Sequence, residues 1–227
     1  MLLYILAAGC VLLSFFTAAL RNRKRERARL AAKLAAALLF CAVALLSALR
    51  RTEPMNRAAA LMLAALALGL IGDAMLGLDK FLARESRAYL LMGGGAPFFV
   101  GHIVYIALLL PYAKLNPWLL LLLPVLPALF LLIHKFFGMG KTLLPMLIYA
   151  LVLGGMMLST LNIALMGGTL GRLMALPGVL FAVSDSTLIL GAYGKDKLKR
   201  FAPLMAYLVP VPYFGAQVLF ALSVTYL

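Results

Sequence analysis

The chain has 227 residues, 65% of them hydrophobic and 12% charged, with a net charge of +14. A soluble domain is about 45–50% apolar, so the composition excludes a soluble fold and predicts an integral membrane protein. The basic excess invites a nucleic-acid reading, which the placement of the charges below excludes.

The apolar runs are near-continuous rather than alternating. That predicts helices, because a single helix satisfies its own backbone in lipid. At about 20 residues per crossing, eight runs qualify, at 2–20, 30–49, 58–78, 89–110, 117–134, 142–163, 173–192 and 203–225. Residues 1–227 read as one all-α transmembrane domain, a bundle of eight helices.

No basic residue precedes the first run, the wrong order for a cleaved signal peptide, so this run is expected to stay as the first helix. Cys10 and Cys41 lie inside apolar helices and read as inert small hydrophobes. Arg21 to Arg29 form a basic turn that anchors topology. Lys33, just inside the second helix, is expected to snorkel to the surface, with a phosphate or headgroup contact as its functional alternative. Asp73 follows about 22 Å into the third helix, at 1.5 Å per residue, with Gly72 permitting close packing.

Gly93 to Gly95 ahead of Pro97 are expected to weaken the fourth helix locally. His102 shares a face with Phe98 and Tyr105 and has two buried carboxylates to pair with. Pro124 and Pro127 should bend the fifth helix, and His134 reads as interfacial. Tyr149 is a membrane-buried hydroxyl in need of a partner, whereas Asn162 needs no function. Asp185 sits between Ser184 and Ser186 inside a spanning run. A charge at that depth costs roughly 2.5–3.5 kcal/mol on insertion scales, so Asp73 and Asp185 are functional candidates. In the last helix Gln217 is a buried amide near the depth of His102.

With eight spans, the loops and helix ends at 21–33, 80–87, 135–141 and 195–200 carry sixteen of the 21 basic residues. Arg50, Arg51, Arg57, Lys114 and Arg172 fall on the other side. Cytoplasmic loops collect Lys and Arg, so both termini are expected outside the cytoplasm. The basic side would face anionic headgroups, and no nucleic-acid partner is expected.

Two halves echo one another. Pro97 to Tyr105 and Pro212 to Phe220 share the order Pro, aromatic, Phe, apolar or small, small, polar, two apolar, aromatic. Gly72-Asp73-Ala74 and Ser184-Asp185-Ser186 are both small-Asp-small followed by x-Leu, and Lys33 and Lys141 open the second and sixth helices. The offset of four helices predicts a parallel 4+4 repeat with polar residues converging from both halves.

Taken together, Lys33-Leu34, Gly72-Asp73 with Leu76, Gly94 to Phe98, His102, Tyr105, Ser184-Asp185-Ser186 and Tyr213 to Gln217 resemble the YhhN-like family, the lysoplasmalogenases. The family pattern often has Pro after the lysine, where this chain has Leu34. The resemblance implies an eight-helix bundle in a bacterial inner membrane. Its substrate would be a lysoplasmalogen or another lysolipid, cleaved at the 1-alkenyl vinyl-ether bond. The products would be a fatty aldehyde and a glycerophosphoethanolamine or glycerophosphocholine.

Vinyl ethers resist bases but yield to acid. A proton adds to the alkene carbon remote from the ether oxygen, water adds to the oxocarbenium ion, and the hemiacetal collapses. This chemistry wants one carboxylic acid and one carboxylate, the division used by glycosidases. Asp73 and Asp185 fit it as a dyad sharing a proton, with Asp185 as the acid, oriented by its flanking hydroxyls. His102 would hydrogen-bond the carboxylates. Tyr105, Tyr149, Tyr213 and Gln217, with Lys33, Ser184 and Ser186, would line the substrate site. No cofactor or metal is required. Two rivals remain open. One is a metal-assisted lipid hydrolase with Asp73, His102 and Asp185 as ligands; the other is a proton-coupled transporter whose carboxylates shuttle protons.

Overall fold

Each of the eight apolar runs overlaps a helical stretch long and apolar enough to cross a membrane. The computed structural model describes residues 1–78, 84–194 and 197–227, with backbone alone for 84–93. Among the described residues every element is helical, and the protein is an integral, multi-pass membrane protein. Of the residues assigned to the basic side, Lys80 and Lys195 lie outside the described residues, and the Arg84 and Arg87 side chains do too.

The first four spans are single helices: α1 (Leu2–Asn22), α2 (Glu26–Leu49), α3 (Arg57–Leu78) and α4 (Arg84–Leu109). The glycine run before Pro97 does not interrupt α4, which passes through it. The last four spans carry prolines that divide three of them. The fifth is α5 (Pro117–Leu120) and α6 (Val125–Phe137), and the sixth is α7 (Leu143–Leu165). The seventh is α8 (Gly168–Met174) and α9 (Pro177–Tyr193), and the eighth is α10 (Ala202–Leu208) and α11 (Pro210–Ser223). In each divided span the second piece begins at or just after a proline, because proline has no N–H to continue the ladder and crowds the preceding turn. In the fifth span this makes a break before Val125, sharper than a bend. Asn116 opens α5 by accepting the Trp118 N–H at 3.0 Å, with Pro117 as first helical residue.

Some neighbour pairs correspond between the first four spans and the last four. α2 packs on α3, as α7 packs on α9. α3 packs on α4, as α9 packs on α11. Across the midline α4 lies against α7, and α11 lies against α2. α11 is central, touching α1, α2, α3, α8, α9 and α10. It buries Tyr213, Phe214, Gln217 and Phe220, and these rings with Phe40 and Phe181 make the core between the halves. The outward faces are apolar, with Trp118, Leu121 and Leu144 exposed as lipid-facing surface requires.

Polar ties hold the end opposite the basic turn. Arg51 donates to the Val224 carbonyl at 2.8 Å, and the Thr225 hydroxyl to that of Ser47 at 3.1 Å. Asn162, read as needing no function, fixes the connection between the halves. Its Oδ1 accepts the Asn116 N–H at 2.7 Å. His134 accepts the Met139 N–H and so closes the end of α6.

Candidate functional site

Asp73 lies five residues before the end of α3, and Asp185 eight before the end of α9. At 1.5 Å per residue they sit about 8 and 12 Å from the helix ends that face the basic loops. Lys33 is seven residues into α2. α2 and α3 run antiparallel, so Lys33 and Asp73 reach the same depth.

The lysine does not snorkel. Its ammonium lies 3.0 Å from Asp73 Oδ1 and donates to the Asp73 carbonyl at 3.4 Å. The Asp73 side chain is 2% exposed and that of Lys33 16%. A charge buried to that degree requires a partner, and the ion pair outweighs the pull of the interface. The second oxygen, Oδ2, accepts the Tyr213 hydroxyl at 2.7 Å. Behind it runs a directed chain. Gln217 Nε2 donates to Tyr213 at 3.0 Å, and Tyr105 donates to Gln217 Oε1 at 3.0 Å.

Asp185 is held differently. Tyr149 on α7 donates to its Oδ2. His102 Nε2 from α4 stands 3.1 Å from the Tyr149 oxygen and 3.4 Å from Asp185 Oδ2. No lysine or arginine among the described residues pairs with it. Its side chain is 12% exposed, so it is the more accessible of the two carboxylates.

The flanking hydroxyls do not orient Asp185. Ser184 donates to the Val209 carbonyl at 2.8 Å and braces the joint between α10 and α11. Ser186 Oγ is buried without a hydrogen-bond partner. Adjacent residues on a helix point apart, so neither serine can face the carboxylate's own partners. Nor does a hydrogen bond join the two carboxylates, so the expected shared proton is replaced by two separate clamps. Among the described residues, no three His, Cys, Asp or Glu side chains gather as a metal site would require.

The clamps meet at a small cavity lined by Ala65, Gly69, Pro97, Phe98, Gly101, His102, Tyr105, Phe181 and Gln217. Phe181 stands between them, edge-on to His102 at 5.0 Å and to Tyr213 at 5.3 Å. Tyr105 stacks on Phe220 at 4.1 Å, and Phe98 meets Tyr213 edge-on at 5.7 Å. Of this aromatic wall the sequence marked Tyr105 and Tyr213 as site residues but not Phe181 or Phe220. A further sequence signal is the shared Pro-aromatic-Phe pattern, whose matched positions here touch each other.

Two glycines of α3 make the approach of α4 and α11 possible. A Cβ on Gly69 would lie 2.4 Å from Gln217 Nε2, and one on Gly72 2.6 Å from the Phe98 ring. Gly72→Ala should therefore push Phe98 into Tyr213. Overpacking of this kind costs about 1–3 kcal/mol, to be read as a lowered unfolding midpoint in detergent. An unchanged midpoint would mean that Phe98 does not seal this contact.

The constellation is thus one carboxylate paired with a lysine and one held by Tyr149 and His102, with members of both networks lining a small cavity in a membrane bundle. No curated protein and no solved structure matches the chain. A family model described as the YhhN family matches residues 28–224, most of the sequence and every residue of both clamps. The chain belongs to the YhhN family.

Proposed function

We propose that this protein hydrolyses the vinyl-ether bond of lysoplasmalogens, releasing a fatty aldehyde and a glycerophosphoethanolamine or glycerophosphocholine. The observation that carries the reading is the unequal holding of two carboxylates whose networks reach one cavity, through His102 on the Asp185 side and through Gln217 and Tyr105 on the Asp73 side. Asp185, without a lysine or arginine partner among the described residues and the more exposed, is the acid that protonates the alkene carbon remote from the ether oxygen. Asp73, fixed by Lys33 and Tyr213, stays charged and steadies the oxocarbenium ion. Lys33 spends two donor directions on Asp73 and has a third N–H, which serves the polar end of the lysolipid.

Depth supports the same reading. The ether oxygen of a lysolipid lies just beneath its headgroup, and the carboxylates lie about 8 and 12 Å below the helix ends at 1.5 Å per residue. A site for mid-chain chemistry would sit deeper.

We also infer a topology with the basic loops cytoplasmic and both termini on the far side, in a bacterial inner membrane. A parallel 4+4 repeat accounts for the corresponding neighbour pairs and for equivalent positions in contact, Phe98 with Tyr213 and Tyr105 with Phe220. Residues near a twofold axis meet their own counterparts in this way.

The test is purified protein against 1-alkenyl, 1-alkyl and 1-acyl lysolipids. Aldehyde should form from the alkenyl substrate, and the other two should stay intact. Equal turnover of the acyl lipid would overturn the vinyl-ether reading. A carrier would move the lipid without breaking a bond, so free aldehyde also separates the enzyme from a proton-coupled transporter.

A further inference from the structure

The geometry points to the cavity beside His102 as a built site for the one water molecule consumed in each turnover, with His102 Nδ1 as the base that takes its proton. This deepens the hydrolase reading and rests on it.

One tautomer suits the histidine to this role. With the acidic proton of Asp185 on Oδ1, Tyr149 gives its single hydroxyl proton to Oδ2. His102 Nε2, 3.1 Å from the Tyr149 oxygen, must then be the donor in that contact. A neutral imidazole carries one N–H, so Nδ1 keeps its lone pair. His102 is 1% exposed, and Nδ1 has no partner. A buried acceptor left unsatisfied is costly, and the cavity next to it supplies what would satisfy it.

The cavity volume is about 10 Å³, room for about one water molecule. Such a water needs two or more polar contacts. Besides His102, the lining holds Gln217, whose amide nitrogen uses one N–H on Tyr213 and has a second. Tyr105 also lines the cavity, its hydroxyl proton given to Gln217 Oε1, and the other walls are Ala65, Gly69, Pro97, Phe98, Gly101 and Phe181.

The cycle closes on these groups. The Asp185 carboxyl proton goes to the alkene carbon remote from the ether oxygen as the C=C electron pair forms the new C–H bond. The water oxygen bonds to the oxocarbenium carbon while His102 Nδ1 takes one water proton. In the collapse, the hemiacetal hydroxyl proton returns to Asp185 as the C=O forms. The C–O bond to glycerol breaks, and the imidazolium protonates the leaving oxygen. Both residues end as they began, and one water has been consumed.

Gly101 offers a substitution that fills the site without breaking the fold. A Cβ there would meet the Ala65 carbonyl at 3.7 Å and Leu68 Cβ at 3.8 Å, ordinary contacts, and alanine is the better helix former. With a 1-alkenyl glycerophosphoethanolamine in detergent, Gly101→Ala should lower kcat by about 10²-fold, with KM and the unfolding midpoint held. Gly95→Ala, where a Cβ meets nothing within 4 Å, should match wild type. His102→Ala should lose about 10²–10⁴-fold, and added imidazole should restore part of it.

A second measurement does not depend on any variant. In dilute methanol the wild type should give aldehyde alone, because the site is too small for methanol. Mixed acetal formed in proportion to methanol would mean that the nucleophile comes from bulk solvent, and would overturn the site. Full kcat in Gly101→Ala, or no response of His102→Ala to imidazole, would overturn it as well, while leaving the hydrolase reading intact. Absence of aldehyde from the wild type would overturn both.

Discussion

Asp185→Asn should reduce aldehyde release by about 10²–10⁴-fold, the usual worth of a positioned general acid. The substitution is close to isosteric, and the amide oxygen can still accept from Tyr149, so the clamp with His102 survives. Only the acidic proton is lost. KM should move little, because the carboxyl acts on the alkenyl carbon in the transition state rather than on the bound lipid. The measurement is initial rate against lysolipid concentration, with an unfolding midpoint alongside. Full activity in Asp185→Asn would remove it from the chemistry and shift the acid to Asp73, whose proton would have to compete with an ammonium 3.0 Å away.

Lys33→Met should be the most destabilising of the single changes considered. It removes the cation from a carboxylate whose side chain is only 2% exposed and leaves Tyr213 as its side-chain partner. Breaking a buried ion pair from one side costs about 3–5 kcal/mol, since the remaining charge is stranded. Asp73→Asn in the same chain should recover much of that loss, because an amide tolerates burial next to Tyr213. The difference between the double variant and the sum of the singles gives the pair's coupling. Unfolding in detergent measures all four proteins. A Lys33→Met midpoint equal to wild type would show that the ammonium contributes nothing to Asp73 and turns to the interface instead.

What the sequence carried and what it did not divide along a physical line. The eight spans were legible because composition and run length decide them. Asp73, Asp185 and His102 stood out because each is costly inside an apolar helix. The ion pair of Lys33 was misread, although the count of residues from each helix end already placed it level with Asp73. Depth along one axis can be counted, but the rotation that turns two side chains toward each other is set by packing. The same gap explains Ser184 and Ser186. Their closeness to Asp185 in the chain suggested a shared role, yet helical geometry sends one to the Val209 carbonyl and leaves the other without a partner. Tyr149 was read as a hydroxyl in want of a partner, and only the seating of α7 beside α9 shows that its partner is Asp185.

Each carboxylate is gripped from across the midline. Asp73, from the first four spans, is held by Tyr213 of the last, and Asp185, from the second four, lies against His102 of the first. Neither half therefore owns a complete centre. Exchanging either half alone would disturb both clamps at once.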